Sequence, residues 1–161
     1  MSTIDFDLLL AQAEAITAGE PDLIANLSNI SALVYHELDD VNWVGFYLTR
    51  APETLVLGPF QGKVACLRID FGKGVCGAAA AAKETQLVTD VHEFPGHIAC
   101  DSASNAEVVV PLMVDGQVVG VFDLDSPSVG RFSQHDADGL SKLGRFIEGL
   151  NWSQLRGAVD V

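Results

Sequence analysis

Apolar positions in the first forty residues recur at helical spacing. Phe6, Leu9, Leu10, Ala13 and Ile16 share one face of a segment spanning residues 5–18, and Gly19 stops it. Pro21 and Asp22 open a second helix, with Leu23, Leu27, Ile30, Val34 and Leu38 as its apolar stripe. The period then shortens to two. Residues 42–49 read as a strand, and two shorter strands follow over 55–60 and 63–69, separated by Gln61-Gly62. The run Gly72-Lys73-Gly74-Val75-Cys76-Gly77 reads as a loop leading into a short alanine-rich helix over 78–83. Residues 89–105 are polar and irregular, and a loop of that length in a compact domain is usually functional. Strands over 108–114 and 117–124 flank Asp115-Gly116, a strong hairpin pair. Ser133-Gln134-His135-Asp136 has the form of a capping box with Asp in place of Glu or Gln. It opens a last helix that turns Leu140, Leu143, Phe146, Ile147 and Leu150 inward.

This order predicts a single α+β domain over 1–161. It has a largely antiparallel sheet, long helices on one face and a loop-covered pocket on the other. Alternation assigns the faces. Trp43, Gly45 and Tyr47 oppose Val44, Phe46 and Leu48. Val119, Val121, Asp123 and Asp125 oppose Val118, Gly120, Phe122 and Leu124, and Glu107 lies with Val109 and Pro111. Three carboxylates and two aromatics can therefore share one side of one sheet.

Charge narrows the partners. Twenty-two acidic residues against nine Lys and Arg give a formal charge of −13, which argues against nucleic acid and anionic membranes. The 48% apolar content is ample for a packed core. The N-terminus has no basic segment and no apolar run is long enough to span a bilayer, so a cytoplasmic protein is expected.

The candidate chemistry lies in three cysteines and the carboxylates. Cys100 sits among small polar residues just before a strand, an exposed setting that suits a nucleophile. Cys66 alternates with Ala65 and Leu67 and so shares a side with Arg68. Cys76 begins a helix, where the dipole would lower a thiol pKa. Local physics leaves the three unranked, and each could equally be a small buried hydrophobe. Asp123 and Asp125 lie about 7 Å apart along one strand face. If they gather with Glu107 over a pocket, mutual repulsion raises at least one pKa, which suits gripping an ammonium or keeping one carboxyl as an acid. On an open edge they would be a solvated strand end. His92, His97, Cys100 and Asp101 match no common zinc spacing. The glycine-rich run matches neither a P-loop nor a dinucleotide fingerprint, and His36 and His135 read as surface residues.

Five segments together carry a family likeness. Asn42-Trp43-Val44-Gly45-Phe46-Tyr47, Leu57-Gly58-Pro59-Phe60-Gln61-Gly62, Gly72-Lys73-Gly74-Val75-Cys76-Gly77, the run from Cys100 to Glu107, and Asp123-Leu124-Asp125-Ser126-Pro127 resemble the free methionine-R-sulfoxide reductases built on a GAF domain. The likeness covers nearly the whole chain and includes the order and spacing of all three cysteines, a set that a generic GAF domain lacks. The alanine run 78–82 departs from it without touching a motif. The resemblance implies a GAF-like fold and reduction of the free amino acid rather than of protein-bound methionine sulfoxide. It implies Cys100 as nucleophile, Cys66 as the usual resolving thiol and Cys76 as an auxiliary redox cysteine. Trp43, Tyr47, Glu107, Asp123 and Asp125 become substrate-pocket residues, with Glu107 and Asp125 the expected proton donors and Asp123 acting mainly in binding. Sulfenic acid and disulfide intermediates, recycling by thioredoxin or a similar dithiol, and no cofactor or metal follow; a homodimer is compatible. Two other classes remain to be separated from this one: a stand-alone GAF sensor with redox-switch cysteines, and a regulator holding stoichiometric zinc.

Overall fold

A computed structural model describes residues 3–97 and 103–155. Helix α1 (Phe6–Thr17) starts where the Asp5 side chain accepts the Leu8 N–H, and α2 (Leu23–Glu37) starts where Asp22 accepts that of Ala25. Pro21 thus lies just outside the helix it announces. The α2 stripe is buried throughout, but α1 buries Phe6, Leu9, Ala13 and Thr17 and leaves Ile16 42% exposed. Its inward face follows a spacing of four after Leu9, and Ile16 falls off it.

Strands β1 (Trp43–Ala51), β2 (Thr54–Gly62) and β3 (Arg68–Asp70) precede α3 (Gly74–Ala82). Then come β4 (Gln86–Val88), a single 3-10 turn (Val91–Glu93), β5 (Ala106–Val114), β6 (Gln117–Ser126) and α4 (Gln134–Glu148). The six strands form one sheet in the order β3-β2-β1-β6-β5-β4, every neighbour antiparallel. At the hairpin, Asp115 and Gly116 both take positive φ, 53° and 76°, as a two-residue primed turn requires. The capping box of α4 forms with Asp136 as the third residue: Ser133 and Asp136 exchange side-chain to backbone hydrogen bonds. Pro111 falls past the end of β4, where β5 has a neighbour on one side only.

Three elements depart from the expected pattern. The strand expected over 63–69 shrinks to Arg68–Asp70, because 63–67 leaves the sheet and exposes Val64 and Leu67. Helix α3 begins at Gly74 rather than Ala78, so four of the six residues of the glycine-rich run are helical. Strand β4 forms from only three residues, pairing with β5 across Gln86↔Val109 and Val88↔Glu107.

Helices α1, α2 and α4 cover one face of the sheet, burying Val44, Phe46, Leu48, Val108, Val110, Leu112, Phe122 and Leu124. Phe46 and Phe122 stack across β1 and β6 with centroids 4.9 Å apart. Helix α3 covers the other face, a smaller cluster around Trp43, Tyr47, Leu55, Ile69, Val109 and Val121. An irregularity between Leu112 and Met113 shifts the β5–β6 register, so Val118 joins this second cluster while Val119 packs toward the first. That reverses the assignment made by alternation for these two residues alone.

Candidate active site

The period-two rule places the polar residues of the second face side by side. Trp43 on β1 is paired with Asp125 on β6, which is paired in turn with Glu107 on β5. In the next row Gly45, Asp123 and Val109 align the same way. Gly45 is required there: a Cβ would run into the backbone and Cβ of Phe60. Its absence lets β2 bring Phe60 against Trp43, with centroids 5.2 Å apart and planes 15° apart, and Tyr47 stacks on the other side at 5.8 Å. The indole N–H donates to the Lys63 carbonyl and the Tyr47 hydroxyl to that of Cys66. These two bonds tie the irregular segment 63–67 to the aromatic wall.

Helix α3 supplies the fourth side. Gly77 packs against the Asp70 backbone, where a Cβ could not fit, and this close approach brings Cys76 over the sheet. The Cys76 thiol lies 3.3 Å from Asp123 Oδ2 and 3.8 Å from Glu107 Oε2. Glu107 is hydrogen-bonded to both Asp123 and Asp125. Asp123 Oδ1 is buried with no hydrogen-bond partner among the described residues. Trp43, Tyr47, Cys76, Glu107, Asp123 and Asp125 thus line one concave space that opens to solvent.

Burial sets the protonation of this cluster. It pushes the Glu107 carboxyl well above the carboxylate range, and repulsion from Asp123 and Asp125 adds to the shift. Burial raises Asp123 to about 6, against hydrogen bonds from Glu107 and Cys76 that favour its anion. Burial therefore favours the neutral form of Glu107, whose single proton can be donated to one of its two carboxylate neighbours, while Asp123 ionises near pH 6. Burial and the same carboxylates raise the Cys76 thiol as well, and they raise the Tyr47 phenol. The sequence had Cys76 as a thiol acidified by a helix start. It is instead a buried neutral donor, because desolvation and two adjacent acids outweigh the dipole.

The remaining candidates fall as follows. Cys66 is half-buried beside the pocket mouth and disulfide-bonded, while Cys76 is free. Cys100, the expected nucleophile, lies outside the described residues, as does Asp101. His92 Nε2 donates to Asn105 Oδ1 at 2.9 Å, and the ring packs edge-on against His97 at 6.2 Å. Among the described residues, donor atoms with metal-like proximity are those of Cys76, Glu107 and Asp123, already joined by hydrogen bonds. Lys73, Ser104 and His97 also line the space. The sequence had weighed His97 only as a metal ligand, and it held Lys73 and Ser104 inside quoted motifs without giving either a role. Ser104 is buried and bonded to Asn42, a contact across 62 positions that no local pattern announces.

Comparison with known proteins identifies the family. The GAF domain family model matches residues 22–149. The free methionine-R-sulfoxide reductase of Escherichia coli K12 is 56% identical over 134 residues, covering 83% of this chain and 81% of its own. That of Saccharomyces cerevisiae is 49% identical over 146 residues, 86% of this chain and 81% of its own. The Neisseria meningitidis enzyme, solved by X-ray crystallography in complex with its substrate, superposes with a TM-score of 0.88 at 42% identity, covering 98% of this chain and 96% of that one. The chain belongs to the GAF-domain free methionine-R-sulfoxide reductase family.

Proposed function

We propose that the protein reduces free L-methionine-R-sulfoxide to L-methionine. The observation that carries this reading is the buried acid cluster beneath the Trp43–Tyr47 wall, where burial and two neighbouring carboxylates favour the protonated form of Glu107. A sulfoxide oxygen leaves only once it is protonated, so such a donor suits this chemistry. The reading assigns attack on the sulfoxide sulfur to the Cys100 thiolate, with Glu107 as proton donor and Asp125 as its partner. Attack forms a bond from Cys100 Sγ to the substrate sulfur; that bond and the S–O bond then break as the protonated oxygen bonds to Cys100 Sγ, so methionine departs as the thioether and Cys100 is left as a sulfenic acid. A second thiol condenses with that acid, releasing water and leaving a disulfide.

Cys66 is the better candidate for that second thiol. It is disulfide-bonded and stands beside the pocket mouth, whereas Cys76 is a buried thiol held neutral by its neighbours. Cys76 is then an auxiliary thiol that hydrogen-bonds to the acids. Asp123, with one oxygen lacking a partner among the described residues, suits the substrate ammonium, and Lys73 at the rim offers the opposite charge for its carboxylate. Trp43 provides an apolar wall for the S-methyl group. A thioredoxin-like dithiol in the cytoplasm would return the disulfide to two thiols. No helix among the described residues is long and apolar enough to cross a membrane.

Incubation with each free methionine sulfoxide epimer and dithiothreitol tests the proposal. Methionine should form from the R epimer, with little from the S epimer or from N-acetylated substrate. Equal rates on both epimers would overturn it, and tight binding without turnover would point to a sensor.

A further inference from the structure

Seven large hydrophobic side chains are notably exposed among the described residues, and the two most exposed flank one cysteine. Val64 is 88% and Leu67 71% exposed, on either side of the disulfide-bonded Cys66. The segment is pinned from below by the bonds of Trp43 and Tyr47 to the carbonyls of Lys63 and Cys66, so it holds Leu67, and Val64 at the edge of the pocket it helps line, in solvent on a fixed backbone. Its charge is as unusual as its polarity. In a chain of net charge −13, residues 54–69 contain no Asp or Glu, and Lys63 and Arg68 stand exposed within them. An apolar pair rimmed by cations, in an otherwise acidic molecule, is a local surface for a partner rather than a solvated loop.

We infer that Lys63–Arg68 is the docking surface for a protein dithiol with an acidic rim, and that this partner attacks the Cys66 sulfur. The inference rests on the reductase reading above. In the step, the partner's thiolate bonds to Cys66 Sγ, the existing disulfide breaks, and the other cysteine leaves as a thiolate that takes a proton. The partner's second thiol then displaces Cys66 as a thiol. Two electrons and two protons pass to this chain, and the partner ends as a disulfide. The apolar pair would supply the contact and the cations the steering.

The test compares two reductants acting on the same enzyme with free methionine-R-sulfoxide: dithiothreitol, and thioredoxin regenerated by its reductase and NADPH. Leu67→Ser and Lys63→Glu change side chains that point away from the pocket. Each should lower kcat/KM for thioredoxin about fivefold, as expected for losing one contact or one steering charge, and leave dithiothreitol-driven turnover unchanged. Thioredoxin lacking its second cysteine should be trapped as a mixed disulfide on Cys66, as read by peptide mapping. Equal losses with both reductants, no loss with either, or trapping on a different cysteine would overturn the docking surface. Absence of methionine with dithiothreitol and the unaltered enzyme would instead remove the reductase reading itself.

Discussion

On the helical side of β1, β5 and β6, Val44, Phe46, Val108, Val110, Phe122 and Leu124 pack against three helices. One residue along in each case, the opposite side carries Trp43, Gly45, Glu107, Asp123 and Asp125. Burial hardly separates the two: Leu124 is 0% exposed, Asp123 4% and Glu107 9%. What separates them is what burial does. On the first face it removes apolar surface from water and stabilises the fold. On the second it withdraws carboxyls from water, favours the protonated form of Glu107 and costs stability. The same pleat therefore holds a core and an acid store back to back, and the core offsets the cost of the acid store.

The largest expected effect breaks the second face chemically. Glu107→Gln removes the proposed proton donor while keeping its shape, and kcat should fall about 10²–10⁴-fold with the fold intact. An unchanged kcat with only a raised KM, from steady-state assays on the free R epimer, would take the acid role away from this residue. Breaking the first face should act on stability instead. Phe122→Ala, which empties a stacked pair in the core, should cost about 3–5 kcal/mol in urea unfolding. That loss should be nearly the same at pH 5 and pH 8.

Asp123→Asn sharpens the contrast through its pH dependence. The folded carboxyl at about 6 lies above its ordinary 3.8, so between those values the unfolded chain releases a proton that the folded protein keeps. Stability supplied by the neutral form is present below pH 4 and lost as pH rises through 6. Relative to the unaltered protein, Asp123→Asn should therefore gain about 3 kcal/mol on going from pH 4 to pH 7. A constant difference between the two unfolding curves across that range would show that burial does not strain this group. The smallest expected effect is a control that touches neither face's chemistry. Ser133→Ala removes one half of the α4 capping box and should cost about 1 kcal/mol with no change in turnover.

The two faces were also unequally legible in the sequence. Long strands keep strict alternation, so Glu107, Asp123 and Asp125 could be assigned to one side from spacing alone, and the register confirms their common face. The failures occur where local pattern and tertiary packing diverge. Val64 and Leu67 alternate like a strand, yet they stand in solvent because 63–67 is held to the aromatic wall through its carbonyls rather than in the sheet. Gln86–Val88 is too short to read as a strand, and only the free edge of β5 recruits it. Cys76 looked acidic beside a helix start, because nothing in its neighbourhood along the chain reveals acids 31 and 47 positions away. The bulge beside Met113 reverses Val118 and Val119 for the same reason: register is set between strands.

The central claim is that the pocket keeps Glu107 protonated at neutral pH, and infrared difference spectroscopy tests it directly. The carbonyl stretch of a protonated carboxyl is distinct from that of a carboxylate, and it should be present at pH 7 in the unaltered protein and absent in Glu107→Gln. It should persist as pH rises past the range in which Asp123 ionises, because burial and two neighbouring acids hold the Glu107 proton more tightly. A spectrum at pH 7 with no protonated carboxyl, or one whose band survives in Glu107→Gln, would contradict the account.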